Sequence, residues 1–195
     1  MITPKTREYR TFSFDIEGEE MKAQGVPVVF NRETVLYKID DIEYKEKIDP
    51  GAFDGVDLSD VVLNIDHAGK PAAKTRNGTL KLQVRDDGVY MEADLSKNAT
   101  GRELYEDIKN GFYDRMSFAF TVEADEYNRE ERMRTIKKVR RCFDVSAVTF
   151  PGYEQTSISA RSFFEAEAEK EQKARELAEE QRRKKLKLLA EIMRG

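Results

Sequence analysis

Asn110-Gly111-Phe112-Tyr113-Asp114-Arg115-Met116-Ser117-Phe118-Ala119-Phe120-Thr121-Val122 is where the sequence changes from helical to extended periodicity. Met116, Phe118, Phe120 and Val122 alternate with Ser117, Ala119 and Thr121, the period-two pattern of a strand with one apolar face. Just upstream, Thr100 reads as an N-cap with Glu103 completing a capping box. Leu104 and Ile108 form an i,i+4 apolar pair, and Gly111 reads as the helix stop. Ser117 therefore begins a strand directly after a helix and a tight turn, on the face it shares with small Ala119.

Working outward, the sequence up to about residue 161 reads mainly as short strands with turns. Phe12, Phe14 and Ile16 alternate with polar residues, and 26–30, 35–39 and the more polar 42–48 read as further strands. Val61, Leu63 and Ile65 share one strand face, and His67 falls next on it. Leu80, Leu82 and Val84, then Asp86-Asp87-Gly88, then Val89, Met91, Ala93 and Leu95 read as a hairpin about an Asp-Gly turn. A polar turn near 127–134 leads into a last strand ending at Phe150, before Pro151-Gly152. From Ser162 the character changes to a charge-dense helix, acids first and bases last, an order that suits the helix dipole. Glu169–Lys173, Glu171–Arg175, Glu179–Arg183 and Glu180–Lys184 are favourable i,i+4 pairs. Leu186, Leu189, Ala190 and Met193 form a short apolar stripe at its end. The expected organisation is a domain over residues 1–161 and a helical tail over 162–195.

Composition narrows the function classes. Of 195 residues 39% are hydrophobic and 37% charged, but 34 basic residues nearly balance 38 acidic ones, for a net charge of −4. Such a balance supplies no global field towards nucleic acid or an anionic membrane, so neither is an expected partner. The lone Cys142 forbids an internal disulfide and a cysteine-based zinc site. EF-hand spacing, a paired-histidine motif and a glycine-rich phosphate loop are all missing, so neither metal nor cofactor is expected. The N-terminal residues lack the apolar core of a signal peptide and no apolar run spans a bilayer, which points to a soluble protein used in a cytoplasm.

Activating a hydroxyl nucleophile usually needs an imidazole within hydrogen-bond reach, and His67 is the sole histidine. Alone, it reads more readily as a core or surface residue with one hydrogen bond. Ser117 on a strand is by itself a common feature. Asp144 lies in the strand after that of Ser117, where an acid could orient an imidazole. It also reads as an exposed strand acid beside Arg140 and Arg141.

Four segments in order carry a resemblance. Glu46-Lys47-Ile48-Asp49-Pro50-Gly51-Ala52-Phe53 looks like the Pro-Gly-Ala-Phe signature of the prohead serine proteases of tailed bacteriophages. Asn64-Ile65-Asp66-His67, then Pro71, Lys74-Thr75 and Gly78-Thr79-Leu80, is similar to their histidine segment. The stretch from Asn110 to Phe120 resembles their nucleophile segment, in which a glycine and a short turn precede Met-Ser. Phe143-Asp144-Val145-Ser146-Ala147-Val148-Thr149-Phe150-Pro151 is similar to their closing acidic-Val-Ser strand. The likeness covers roughly residues 20–160.

The resemblance implies Ser117 as nucleophile, His67 as general base and Asp144 as acidic third member. Two departures stand out. Ala119 occupies a position that is usually glycine, and Asp144 one that is more often glutamate. The implied fold is α+β, a small, mainly antiparallel β-barrel with flanking helices like herpesvirus assemblin, followed here by the long charged helix. Assemblin uses a second histidine as third member, which this chain lacks, so an acid serves or a Ser-His dyad works alone. The implied task is cleavage of scaffold and capsid-protein extensions, and of the enzyme itself, inside the prohead in the host bacterial cytoplasm. Capsid and scaffold proteins are then the partners, and a homo-oligomer, such as a dimer, is expected. The rivals are a non-catalytic capsid-assembly or scaffold protein that keeps the fold, and a binding module docking Arg182-Arg183-Lys184-Lys185 on nucleic acid.

Overall fold

The strand carrying Ser117 belongs to a ten-stranded mixed sheet. The computed structural model describes residues 8–17, 20–39, 41–149 and 158–192. In chain order the strands are β1 (Glu8–Glu17), β2 (Lys22–Val29), β3 (Thr34–Ile39), β4 (Ile42–Ile48) and β5 (Val62–Ile65). They continue with β6 (Ala68–Lys74), β7 (Leu80–Arg85), β8 (Gly88–Asp94), β9 (Arg115–Asn128) and β10 (Met133–Val148). The helices are α1 (Ala99–Lys109) and α2 (Ile158–Ile192). The chain divides into two units, Met1–Ala160 with all ten strands and Arg161–Gly195 with most of α2.

The strands order as β3-β4-β10-β9-β1-β2-β8-β7, with β5 added to β10 and β6 to β5. Among the described residues these ladders trace no closed barrel. The path is open, with no ladder joining β3 to β7 among the described residues. Most pairings are antiparallel, but β10 receives two parallel partners along one edge. β4 lies beside its first part (Met133–Ile136) and β5 beside its last (Asp144–Ala147). Its other edge pairs with β9 along almost its whole length.

Alternation explains the core. Leu63, Val145 and Phe118 lie opposite one another on β5, β10 and β9 and are all buried. Below Phe118 lies the Pro50-Gly51-Ala52-Phe53 segment, a short 3₁₀ turn capped by Asp49, whose carboxylate accepts the Gly51 N–H at 3.0 Å. Pro50 suits the first position of such a turn, where no N–H is needed. The turn delivers Phe53 between Phe30 and Phe118, with ring centroids 5.9 and 5.6 Å away, and Phe118 stacks on Phe120 at 4.9 Å. The signature segment is thus the floor under the Ser117 strand.

Three local expectations change. The cap of α1 is Asn98, whose side chain accepts the Gly101 N–H at 2.7 Å, and Thr100 lies inside the helix. Leu95–Lys97 forms a 3₁₀ turn just before, which sets the cap two residues earlier than the capping-box reading. Gly111 ends the helix region as expected, with φ of 78°. In the β7–β8 hairpin the two turn residues are Asp86 and Asp87, and Gly88 already pairs with Arg85. A Cβ at Gly88 would stand 2.2 Å from the Val28 carbonyl oxygen, so the glycine serves a close strand approach rather than the turn. The last strand ends at Val148, and Phe150, Pro151 and Gly152 lie outside the described residues. Of β1 only the backbone is described, so the alternation of Phe12, Phe14 and Ile16 is likewise outside them.

In α2, the expected Glu169–Lys173 and Glu180–Lys184 pairs are formed, at 2.6 and 2.7 Å. Leu177, Leu186 and Leu189 are exposed, and Met193 lies outside the described residues. No helix among the described residues is long and apolar enough to cross a membrane.

Candidate active site

Opposite the core face, β9, β10 and β5 present their alternate residues in rows. Ser117 faces Ser146, which faces Asn64; one step along, Ala119 faces Asp144, which faces Val62. Ser117 and Asp144 are therefore diagonal neighbours across an antiparallel pair, roughly 7–8 Å apart and somewhat closer between Cβ atoms. That gap suits a side chain with a nitrogen on each side.

His67 supplies such a side chain, though not by the route its sequence position suggests. It does not continue the apolar face of Val61, Leu63 and Ile65. The strand stops at Ile65, which pairs with Ala68, leaving Asp66 and His67 as a two-residue hairpin loop. Their φ angles are 46° and 57°, the left-handed pair of a type I′ turn. Aspartate and histidine are among the few non-glycine residues enriched in this region. The Asp-His dipeptide before Ala68 was the sequence signal for a turn.

The turn is tied to β10 and to Thr149 just beyond it. Asp66 N–H donates to the Ala147 carbonyl at 2.8 Å. Thr149 donates its N–H and hydroxyl to the Asp66 carboxylate at 3.1 and 3.2 Å. The His67 N–H donates to Ser146 Oγ at 3.2 Å, and the ring turns back along β10 to place Nδ1 2.5 Å from Asp144 Oδ1. The same Oδ1 accepts Ser146 Oγ at 2.8 Å.

The sequence-derived residues are thus treated differently by the fold. His67 and Asp144 are hydrogen-bonded across 77 positions of sequence. Asp144 is not the exposed strand acid that its neighbours Arg140 and Arg141 suggest; it is 3% exposed. Ser117 is brought to the same face by strand register and is 2% exposed. No hydrogen bond among the described residues joins its Oγ to the imidazole. Ala119 is fully buried directly opposite Asp144, so its methyl lies beside the acid. Ser146, which the sequence places in the acidic-Val-Ser strand without a role, contacts both the acid and the histidine backbone.

Cys142 offers no competing nucleophile. Burial, and secondarily the Asp144 carboxylate, push its thiol well above the ordinary value, so it stays protonated. No group of three or more His, Cys, Asp or Glu residues able to hold a metal occurs among the described residues.

The sequence profile of a family described as caudovirus prohead serine protease matches residues 8–174. Among solved structures, the bacteriophage T4 capsid assembly protease is similar, with a TM-score of 0.51 at 12% identity. The likeness covers 73% of this chain and 97% of that one, and at this identity it speaks for the fold. No curated protein matches the chain in sequence.

Proposed function

The chain belongs to the caudovirus prohead serine protease family, and from that premise we propose that it is a serine endopeptidase with Ser117 as nucleophile, His67 as base and Asp144 as acidic third member. The observation that carries this is the His67 Nδ1–Asp144 Oδ1 contact on the sheet face where Ser117 stands in register. With Nδ1 held by the carboxylate, Nε2 is the nitrogen that takes the Ser117 proton as the hydroxyl attacks a peptide carbonyl. Catalytic hydrogen bonds of this kind often tighten only once substrate is bound. The imidazolium that forms is stabilised by Asp144 and returns the proton to the leaving amine. Water then enters by the same base catalysis and releases the acyl group from Ser117. The substrates on this reading are scaffold and capsid-protein extensions in the assembling prohead, and the chain itself.

The test separates the nucleophile from the substrate. A fluorophosphonate forms an Oγ–P bond with an activated serine while fluoride leaves and the hydroxyl proton passes to the base. Mass spectrometry should find the label on Ser117, and Ser117→Ala should neither label nor process scaffold-bearing capsid subunits while keeping its fold. Processing by Ser117→Ala at the wild-type rate would end the assignment.

A further inference from the structure

Ser146 is fully buried near the end of β10, at 0% exposure, between Ser117 on one side and Asn64 on the other. A buried hydroxyl is costly unless its hydrogen bonds are made, so its choice of partners is informative. The neighbouring Asn64 Oδ1 is buried without a hydrogen-bond partner among the described residues. The single Ser146 proton goes elsewhere. It is donated to Asp144 Oδ1 at 2.8 Å, and Ser146 Oγ in turn accepts the His67 backbone N–H at 3.2 Å.

We propose that Ser146 is a positioning residue of the site, fixing the Asp144 carboxylate and the His67 turn together through one hydroxyl. The proposal rests on the reading of Ser117, His67 and Asp144 as the catalytic group. Two consequences follow from the geometry. Asp144 Oδ1 carries two donors, the imidazole Nδ1 and Ser146 Oγ, which removes the rotational freedom of the carboxylate. The second contact acts on backbone. Asp66 and His67 hold positive φ, a conformation that non-glycine residues keep only when their surroundings over-determine it. Ser146 Oγ is one of those determinants, and it is the one that also touches the acid. A side chain filling a buried polar slot has no reason to couple these two groups.

The experiment uses the full chain with a fluorophosphonate as probe. Ser146→Ala should lower the maximal labelling rate of Ser117 on the order of 10–100-fold, the scale of a misplaced catalytic group, with the half-saturating probe concentration unchanged. Ser146→Thr, which keeps the hydroxyl, should recover most of that loss. Because His67 is the sole histidine, its Nδ1–H proton resonance can be followed without assignment ambiguity. It should move in Ser146→Ala and return in Ser146→Thr. Wild-type labelling and an unmoved resonance in a folded Ser146→Ala would overturn the proposal. So would a rate loss that merely tracks a lower melting temperature and is not recovered by threonine. Ser117→Ala in the same assay keeps the two readings apart. If it still labels at the wild-type rate, the catalytic assignment has failed; if it is silent while Ser146→Ala behaves as wild type, only the positioning role has.

Discussion

Replacing Asp144 by asparagine keeps the shape of the side chain and removes its charge. The His67 Nδ1–Asp144 Oδ1 distance of 2.5 Å puts the two charge centres about 4 Å apart once the imidazole is protonated. At the effective dielectric of about 20 that suits protein charge pairs, that attraction is about 4 kcal/mol. It acts only when the imidazolium forms, in the transition state, so it appears in the rate. At roughly 1.4 kcal/mol per tenfold, the expected loss is about a thousandfold. The amide also offers the imidazole an N–H where the carboxylate offered a lone pair, which favours the wrong tautomer. The Ser146 hydroxyl still finds a carbonyl acceptor, so the fold should hold and the melting temperature should not fall much. Fluorophosphonate labelling of Ser117, together with mass spectrometry of scaffold-bearing capsid subunits, reads the effect. A loss below tenfold in a folded Asp144→Asn protein would refute the reasoning and leave a Ser-His dyad.

Phe53→Ala removes the ring that bridges Phe30 and Phe118, and it should cost about 3–5 kcal/mol in denaturant unfolding; a loss under about 1 kcal/mol would mean the signature turn is not the floor of the Ser117 strand. The Lys137 hydrogen bond, then the Gly51 N–H, hold the Asp49 carboxyl below its ordinary value. Its contribution is therefore fully present above the unfolded value of about 3.9 and is lost as pH falls through the lower folded value. Asp49→Asn keeps a good cap but loses the charge, so it should be less stable than wild type at pH 6. The gap should be under about 1 kcal/mol, because both side chains are about a third exposed, at 31% and 39%. That gap should close on titration below about pH 3.9; one that persists unchanged into acid would assign the loss to something other than the ion pair.

What was legible in the sequence was mostly local. Alternation at Met116, Phe118, Phe120 and Val122 was enough to place β9, and Gly111 to end the helix before it. β6 escaped because Ala68–Lys74 contains Gly69 and Pro71 and has no run of alternating apolar residues. Among the described residues it pairs only with β5, and a strand at a sheet edge tolerates proline. His67 was placed on a strand face because a period-two count continues past Ile65 regardless of whether the backbone does. Only the preference of Asp and His for positive φ argued otherwise. Composition singled out the imidazole, since there is one. It carried no trace of the parallel β5–β10 ladder that brings this imidazole to Asp144, because no local pattern encodes a side-chain contact across 77 positions.

The long separation puts the demand on β10. This strand carries Asp144 and Ser146, pairs with the Ser117 strand on one edge and receives the His67 hairpin on the other. A slip of one residue against either neighbour would turn Asp144 and Ser146 to the opposite face and dissolve the arrangement. The ladder with β9 contains several register shifts between Ile136 and Asp144, so hydrogen bonding along it does not by itself fix the register at the far end. Its first part is pinned by side chains. Arg134 is 3% exposed and donates to Glu46 on β4 at 3.1 Å and to Asp125 on β9 at 2.6 Å. Removing one partner of such a buried group leaves an uncompensated charge, at about 3–5 kcal/mol, whereas an isosteric apolar replacement of the whole group can be neutral. Stability alone is therefore a weak reason to retain three charges there. Register is a stronger one, since Arg134 reaches both flanking strands from a single position and the carboxylates admit it at one alignment only. Glu46 opens the Pro-Gly-Ala-Phe segment, so the segment that supplies the floor under Ser117 also fixes the alignment of the strand that supplies the acid.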